Sequence, residues 1–295
     1  VARRAAAGSP SASPPGDARS WTVTYRVRFD EAAPDGLVRP GVLLAYAQDC
    51  AWVHSTALGF DRAWYAARGL AWLVRAVRLD LRAAIPSGGL LTVRTEVVGF
   101  RAASARRRTA IGFAGFAGPP VAELLTDWAL TDGGGRPVRV PAEILARFEA
   151  AGTEQPSAFA PLRIRAADDG PAPHEPELRD LVLRDLVRWS DADPMGHLNN
   201  GRAVDLVDEA LARVAEGRAV LERIPRRYLL EYRAPLPVGT AIALGARRLE
   251  PEPGGSFWVE ARTEARTADA GRPAIVALVS ALETGAESGP AIEPR

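Results

Sequence analysis

The residues best suited to chemistry lie in one short run, Trp189 to Gly201 (WSDADPMGHLNNG), which leads directly into RAVDLVDEALARVAEG. Asp193 supplies a carboxylate, His197 an imidazole four positions on, and Asn199 and Asn200 two amides beside them. A carboxylate and an imidazole can together deprotonate water, attack a carbonyl or protonate a leaving group. The residue types alone do not choose among these roles. The segment that follows has helical spacing, with Ala203, Leu206, Val207, Ala210, Leu211 and Val214 on one stripe that ends near Gly217. A helix start offers unpaired N–H groups and a positive dipole end, so the main-chain amides of Leu198 to Gly201, those of Leu198, Asn200 and Gly201 above all, are candidates for holding an oxyanion. The competing reading is a capped turn, because Asp, Asn and Gly are ordinary turn and N-cap residues.

An internal repeat shows which elements must position this run. Set over Trp189 onward, the stretch FDEAAPDGLVRPGVLLAYAQDCAWV from Phe29 aligns Pro34 with Pro194, Gly36 with Gly196, Gly41 with Gly201 and Asp49 with Glu209, each pair 160 residues apart. Farther on, LDLRAAIPSGGLL from Leu79 aligns with LEYRAPLPVGTAI from Leu230, pairing Arg82 with Arg233, Pro86 with Pro237 and Gly88 with Gly239, 151 residues apart. Two ordered blocks of this kind point to a duplicated domain. The copies differ where chemistry would sit: Ala33, Leu37, Arg39 and Pro40 stand in place of Asp193, His197, Asn199 and Asn200. One site per chain, in the second copy, is the expectation.

Each copy opens with an alternating strand, clean at Trp21, Val23, Tyr25, Val27 and Phe29, and looser at Leu181, Leu183, Val187 and Trp189. After each helix about four strands are expected: 72–81, 90–98, 106–116 and 121–131, then 228–232, 241–249, 256–267 and 274–282. A long helix followed by an antiparallel sheet is an α+β layer design. Residues 1–20 read as a disordered arm, 21–150 as the first domain, 151–178 as a linker rich in Pro, Ala and acids, 179–285 as the second domain and 286–295 as a tail.

Composition narrows the function. With 295 residues, 47% hydrophobic and 25% charged, the chain has the balance of a soluble globular protein. A net charge of +1 provides no global field for nucleic acid, and no apolar run is long enough to span a membrane. The single cysteine, Cys50, fits a reducing, cytoplasmic setting. Three dispersed histidines and one cysteine have no metal-ligand spacing, and no phosphate-binding Gly-rich motif occurs, so neither a metal nor a cofactor is expected. Cys50 and His54 stand one helical turn apart but lack a third orienting group, and packing is the better reading for them. His174 falls in the linker and needs no function. Glu209, on the helix below the loop, is an assisting candidate set against the solvated role usual for a helical Glu. Arg101, Arg106, Arg107 and Arg108 form a local basic cluster that could meet an anionic carrier or simply coat a strand.

The run Trp189–Gly201 resembles the signature loop of hot-dog-fold thioesterases. Two further segments, GLAWLVRAVRLDLRAAIPSGG (Gly69 to Gly89) and LLTDWALTDGGGRPVRVPAEI (Leu124 to Ile144), are similar to strand and closing motifs of the acyl-acyl carrier protein (acyl-ACP) thioesterases. The resemblance covers most of residues 21–285. It implies two tandem hot-dog domains, each a long helix wrapped by an antiparallel sheet, and hydrolysis of a fatty acyl thioester carried on acyl carrier protein or coenzyme A. It also implies catalytic roles for Asp193 and His197 with Asn199 beside them, and it leaves a homodimer open. This chain departs from the plant members at Met195 and Pro235, where they carry asparagine and glutamate. Its loop is instead similar to the D-x-D-P-x-G-H-x-N-N form of smaller acyl-CoA thioesterases. A non-catalytic acyl-thioester binding module and a hydratase or dehydratase of the same fold are the alternatives; the hydratase loop D-x-N-P-x-H is one residue shorter and lacks the carboxylate.

Overall fold

The structure, a computed structural model, describes residues 19–116, 118–153, 159–164, 181–249, 255–264 and 273–282. The expected arm as far as residue 18, most of the expected linker with His174, and the tail lie outside the described residues. The chain divides into two compact units, 1–77 with 85–162, and 78–84 with 163–295.

In the first unit β1 (Ser20–Arg26) leads through a 3-10 turn at Phe29–Glu31 to α1 (Pro40–Ala57) and the short α2 (Arg62–Ala66). Four strands follow, β2 (Ala71–Leu81), β3 (Leu90–Arg101), β4 (Ser104–Phe113) and β5 (Ala122–Thr131), and α3 (Ala142–Ala150) closes the unit. Strand order is β1-β3-β4-β5-β2. Pro40 at the first turn of α1 costs the helix no hydrogen bond, because that N–H has no intrahelical partner. The helix buries Leu43, Leu44, Ala47, Cys50, Ala51 and His54 and packs on β1, β3 and β5. A second apolar cluster, with Phe60, Phe100, Leu130, Ile144 and Phe148, seats α3 against the sheet.

The second unit repeats this plan. It runs β6 (Leu181–Leu186), a 3-10 turn at Trp189–Asp191, α4 (Asn200–Ala212), α5 (Ala215–Leu221), β7 (Arg226–Tyr232), β8 (Ala241–Arg248), β9 (Phe257–Thr263) and β10 (Ile275–Ala281). Its strand order, β7-β10-β9-β8-β6, is the first unit's order with each strand replaced by its repeat partner. The pairings β6·β8, β8·β9, β9·β10 and β10·β7 are all antiparallel. Helix α4 packs on β6 and β8 as α1 does on their counterparts β1 and β3, and it also meets β9. Each unit is therefore a hot-dog domain, one long helix against a five-stranded antiparallel sheet.

Two local expectations are corrected. The stripe ending near Gly217 is not one helix: α4 stops at Ala212, α5 begins at Ala215, and Gly217 is a buried residue inside α5 rather than a terminator. A Cβ on Gly217 would stand 2.5 Å from the Leu211 carbonyl oxygen, so glycine lets the two helices close on each other. Trp189 does not extend the inward face of β6; it lies in the 3-10 turn and is 86% exposed, as Phe29 is 92% exposed at the matching place.

Candidate active site

The run with Asp193 and His197 forms a tight loop between the 3-10 turn and α4, and main-chain bonds define it. The Asp193 N–H donates to the His197 carbonyl at 2.8 Å, and the Gly196 N–H donates back to the Asp193 carbonyl at 2.9 Å. Gly196 takes φ +79°, a conformation that only glycine adopts without steric cost. The loop is stitched to the segment after β7: Leu198 N–H donates to the Leu236 carbonyl at 2.8 Å, and Val238 N–H donates to the Gly196 carbonyl at 3.1 Å. His197 forms a bridge with Pro237.

The first unit builds the same loop from different side chains. Ala33 N–H to Leu37 carbonyl is 2.8 Å, Gly36 N–H to Ala33 carbonyl is 2.9 Å, Val38 N–H to Ile85 carbonyl is 2.8 Å, and Leu37 bridges Pro86. Gly36 has φ +79° as well. Bond for bond, the two backbones correspond at the offsets of 160 and 151. The difference between the copies is confined to what the side chains offer.

In the second copy the offer is polar. Asp193 is partly buried, and its Oδ1 accepts from the Met195 N–H at 2.9 Å and, more weakly, from the His197 N–H at 3.4 Å. One carboxylate oxygen is thus spent on holding the loop. His197 is partly buried on the same turn. Asn199 is the N-cap of α4: its Oδ1 accepts from the Gly201 N–H at 2.9 Å, and its own N–H donates to the Asp191 carbonyl at 2.8 Å. These bonds revise the expected oxyanion set. Leu198 and Gly201 already donate within the protein, so among the described residues Asn200 and Arg202 carry the helix-start amides that remain to be used. Arg202 also pairs with Asp191 at 3.5 Å and Asp205 at 2.9 Å, tying the 3-10 turn to α4.

Other candidates fall away from the loop. Glu209 is exposed and pairs with Arg213 at 2.7 Å; the 100° step of the helix turns its neighbour Asp208 inward instead. There the Tyr228 hydroxyl donates to Asp208 Oδ1 at 2.8 Å. Burial pushes the Asp208 carboxyl up to about 7, against the opposing pull of Arg226 and the Tyr228 hydrogen bond. Cys50 and His54 do not form a nucleophile and base. The Cys50 thiol faces the carbonyls of Trp21 and Val93, burial pushes it up to about 12, and the His54 Nδ1 faces Arg107 at 3.1 Å.

Strand alternation on β4 turns Arg107 to the opposite face from Arg106 and Arg108, while Arg101, at the end of β3, meets Phe159 as Arg106 does. Arg107 points into the core beside His54 and over the ring of Phe148, and burial lowers it to about 10. Arg106 forks onto Asp127 at 2.6 and 2.8 Å and donates to the Ala160 carbonyl, largely buried. Arg108 is 56% exposed and pairs with Glu96 at 2.7 Å, and the exposed Arg101 donates to the Phe159 carbonyl. Only Arg101 and Arg108 face solvent. Among the described residues there is no group of acidic, His or Cys side chains placed to hold a metal, and no helix is long and apolar enough to cross a membrane.

Comparison with known proteins agrees with this architecture. Residues 18–148 match the family described as Acyl-ACP thioesterase N-terminal domain. A Lactobacillus plantarum structure assigned as an oleoyl thioesterase superposes with a TM-score of 0.71 at 17% identity, covering 88% of this chain and 95% of that one. An acyl-ACP thioesterase from Bacteroides thetaiotaomicron gives 0.66 at 17% identity, with 89% and 97% covered. The 12:0-ACP thioesterase from Umbellularia californica gives 0.66 at 16%, with 89% and 96% covered. No curated protein sequence matches. The family match covers the first unit, and the solved structures share the paired hot-dog fold of both units.

Proposed function

We propose that this protein hydrolyses fatty acyl thioesters, releasing the free acid and the carrier thiol, at a single site on the α4 loop of the second unit. The observation that carries this reading is the pair of matched loop backbones, of which only the second sets Asp193, His197 and a side-chain-capped helix start where the first has Ala33, Leu37 and an uncapped one. Asp193 Oδ2 acts as general base on water or as nucleophile on the thioester carbonyl. His197 orients the water or protonates the departing thiolate, and the Asn199 cap fixes the helix start so that the Asn200 N–H meets the developing oxyanion. The acyl carrier protein is the carrier we assign, as the family match favours, and coenzyme A is the alternative that the loop form favours. Steering of an acidic carrier is confined to Arg101 and Arg108. The one described cysteine, buried and free, suits a reducing cytoplasmic setting.

The test is a panel of acyl-ACP and acyl-CoA thioesters of graded chain length, with released thiol read continuously. Thiol release that scales with enzyme and exceeds the spontaneous rate is expected with at least one carrier. Binding of acyl thioesters without release would instead favour the binding-module reading.

A further inference from the structure

Strand β7 turns Arg226, Tyr228, Leu230 and Tyr232 to its buried face. The hydroxyls of both tyrosines reach α4. Tyr228 donates to Asp208 Oδ1 at 2.8 Å, and Tyr232 donates to the carbonyl of Asn200, the first residue of the helix, at 3.0 Å. Four residues of strand span about 13 Å, and eight residues of α-helix about 12 Å. The spacings agree, so the strand and the antiparallel helix are pinned at two points in one axial register. At the matching places 151 residues earlier β2 has Val77 and Leu81, whose side chains carry no polar atom. The pins therefore occur in the copy that also carries Asp193 and His197.

We infer that Tyr232 is a positioning residue for thioester hydrolysis: by holding the Asn200 carbonyl it sets where the start of α4 stands relative to Asp193 and His197. A ridges-and-grooves contact between aliphatic side chains tolerates a small axial slide, whereas a hydrogen bond to a single carbonyl does not. The Asn200 N–H and the Asn199 cap belong to the same turn, so a slide would move the oxyanion donor away from the carboxylate. The burial of both phenols also keeps them protonated and able to donate. This assignment rests on the hydrolytic reading of the site. Tyr228 serves as the contrast, because it pins the helix two turns deeper, away from the loop.

The test uses the full chain with Tyr232→Phe and Tyr228→Phe, measuring kcat and KM on the best substrate of the panel, thermal melting, and amide hydrogen exchange over residues 198–204. A misplacement well below 1 Å should lower kcat of Tyr232→Phe by about tenfold with KM within about twofold. Exchange over 198–204 should rise in the same variant, while Tyr228→Phe melts lower yet keeps kcat within about twofold of wild type. Unchanged kcat in Tyr232→Phe overturns the assignment, even if exchange rises. Equal kcat losses in both variants overturn it too, since they report general loosening. If wild type hydrolyses no thioester, the functional reading fails, and the exchange arm alone decides whether Tyr232 holds the helix start.

Discussion

Replacing Asp193 by asparagine and by alanine separates its two duties. Asparagine keeps an Oδ1 that can still accept from the Met195 and His197 N–H groups, so the turn is retained and the expected stability cost is below about 1 kcal/mol. Alanine removes the acceptor of the exposed Met195 N–H at 2.9 Å and of the partly buried His197 N–H at 3.4 Å, and should cost about 1 kcal/mol more than asparagine. Both variants lose the negative charge. If the carboxylate is base or nucleophile, kcat should fall by about two to four orders of magnitude in each, or about 3–5 kcal/mol in the barrier, with a much smaller change in KM. The assay pairs thiol-release kinetics with urea unfolding of the same preparations. A decisive pattern is two equal kcat losses alongside two unequal stabilities. Should asparagine stay within about threefold of wild-type turnover while alanine falls in both measures, the carboxylate is a loop acceptor only, and the chemistry resides elsewhere.

Three more expectations follow from packing and charge. The Asp208 carboxyl, raised by burial from 3.8 to about 7, contributes stability below about pH 4 that is lost as pH rises through 7; urea midpoints of wild type should fall across that window, and Asp208→Asn should flatten the profile. Gly217→Ala places a Cβ 2.5 Å from the Leu211 carbonyl oxygen, so it should destabilise by about 1–3 kcal/mol on thermal or urea unfolding, and a neutral result would mean that α4 and α5 part freely. Arg101→Ser with Arg108→Ser should lower kcat/KM for acyl-ACP at low salt and leave a short pantetheine thioester unaffected; loss on both substrates, or on neither, removes the carrier role.

Much of the fold could be read directly from the chain, because strand alternation and a duplicated pattern of Pro and Gly are backbone requirements written in residue types. Eight strands after the helices fall close to where alternation puts them, and Gly36 and Gly196 align since both take positive φ. Boundaries set by tertiary packing were less legible. The helical stripe runs smoothly through Val214, and nothing in periodicity marks the break that Gly217 permits by its approach to Leu211. Val204, buried at 0%, escaped the predicted stripe although it lies between Ala203 and Val207 on the sheet-facing side. The arginine cluster was legible in principle: alternation along 104–113 already places Arg107 with Ala105, Thr109 and Ile111 on the inward face. The run of like charge masks that period, and the partners of Arg106 and Arg107, namely Asp127 and His54, are too distant in sequence to suggest themselves. For the candidate site, residue types point to the loop, but which of its amides already donate depends on bonds to Asp191, Leu236 and Asn199 that only the folded chain reveals.

The twin loops also bear on where conformational energy is stored. A left-handed glycine, a reversed pair of main-chain bonds and a bridge to proline occur at Gly36 and Gly196 alike, yet the first loop has Ala33 and Leu37 where the second has Asp193 and His197. Whatever that backbone shape costs is a cost of folding that both units meet. On the proposed reading of the site, strain in the turn contributes nothing particular to turnover, and the scaffold and the chemistry are separable. Four side-chain changes in the first unit, Ala33→Asp, Leu37→His, Arg39→Asn and Pro40→Asn, would transplant the polar set onto a backbone already shaped to hold it.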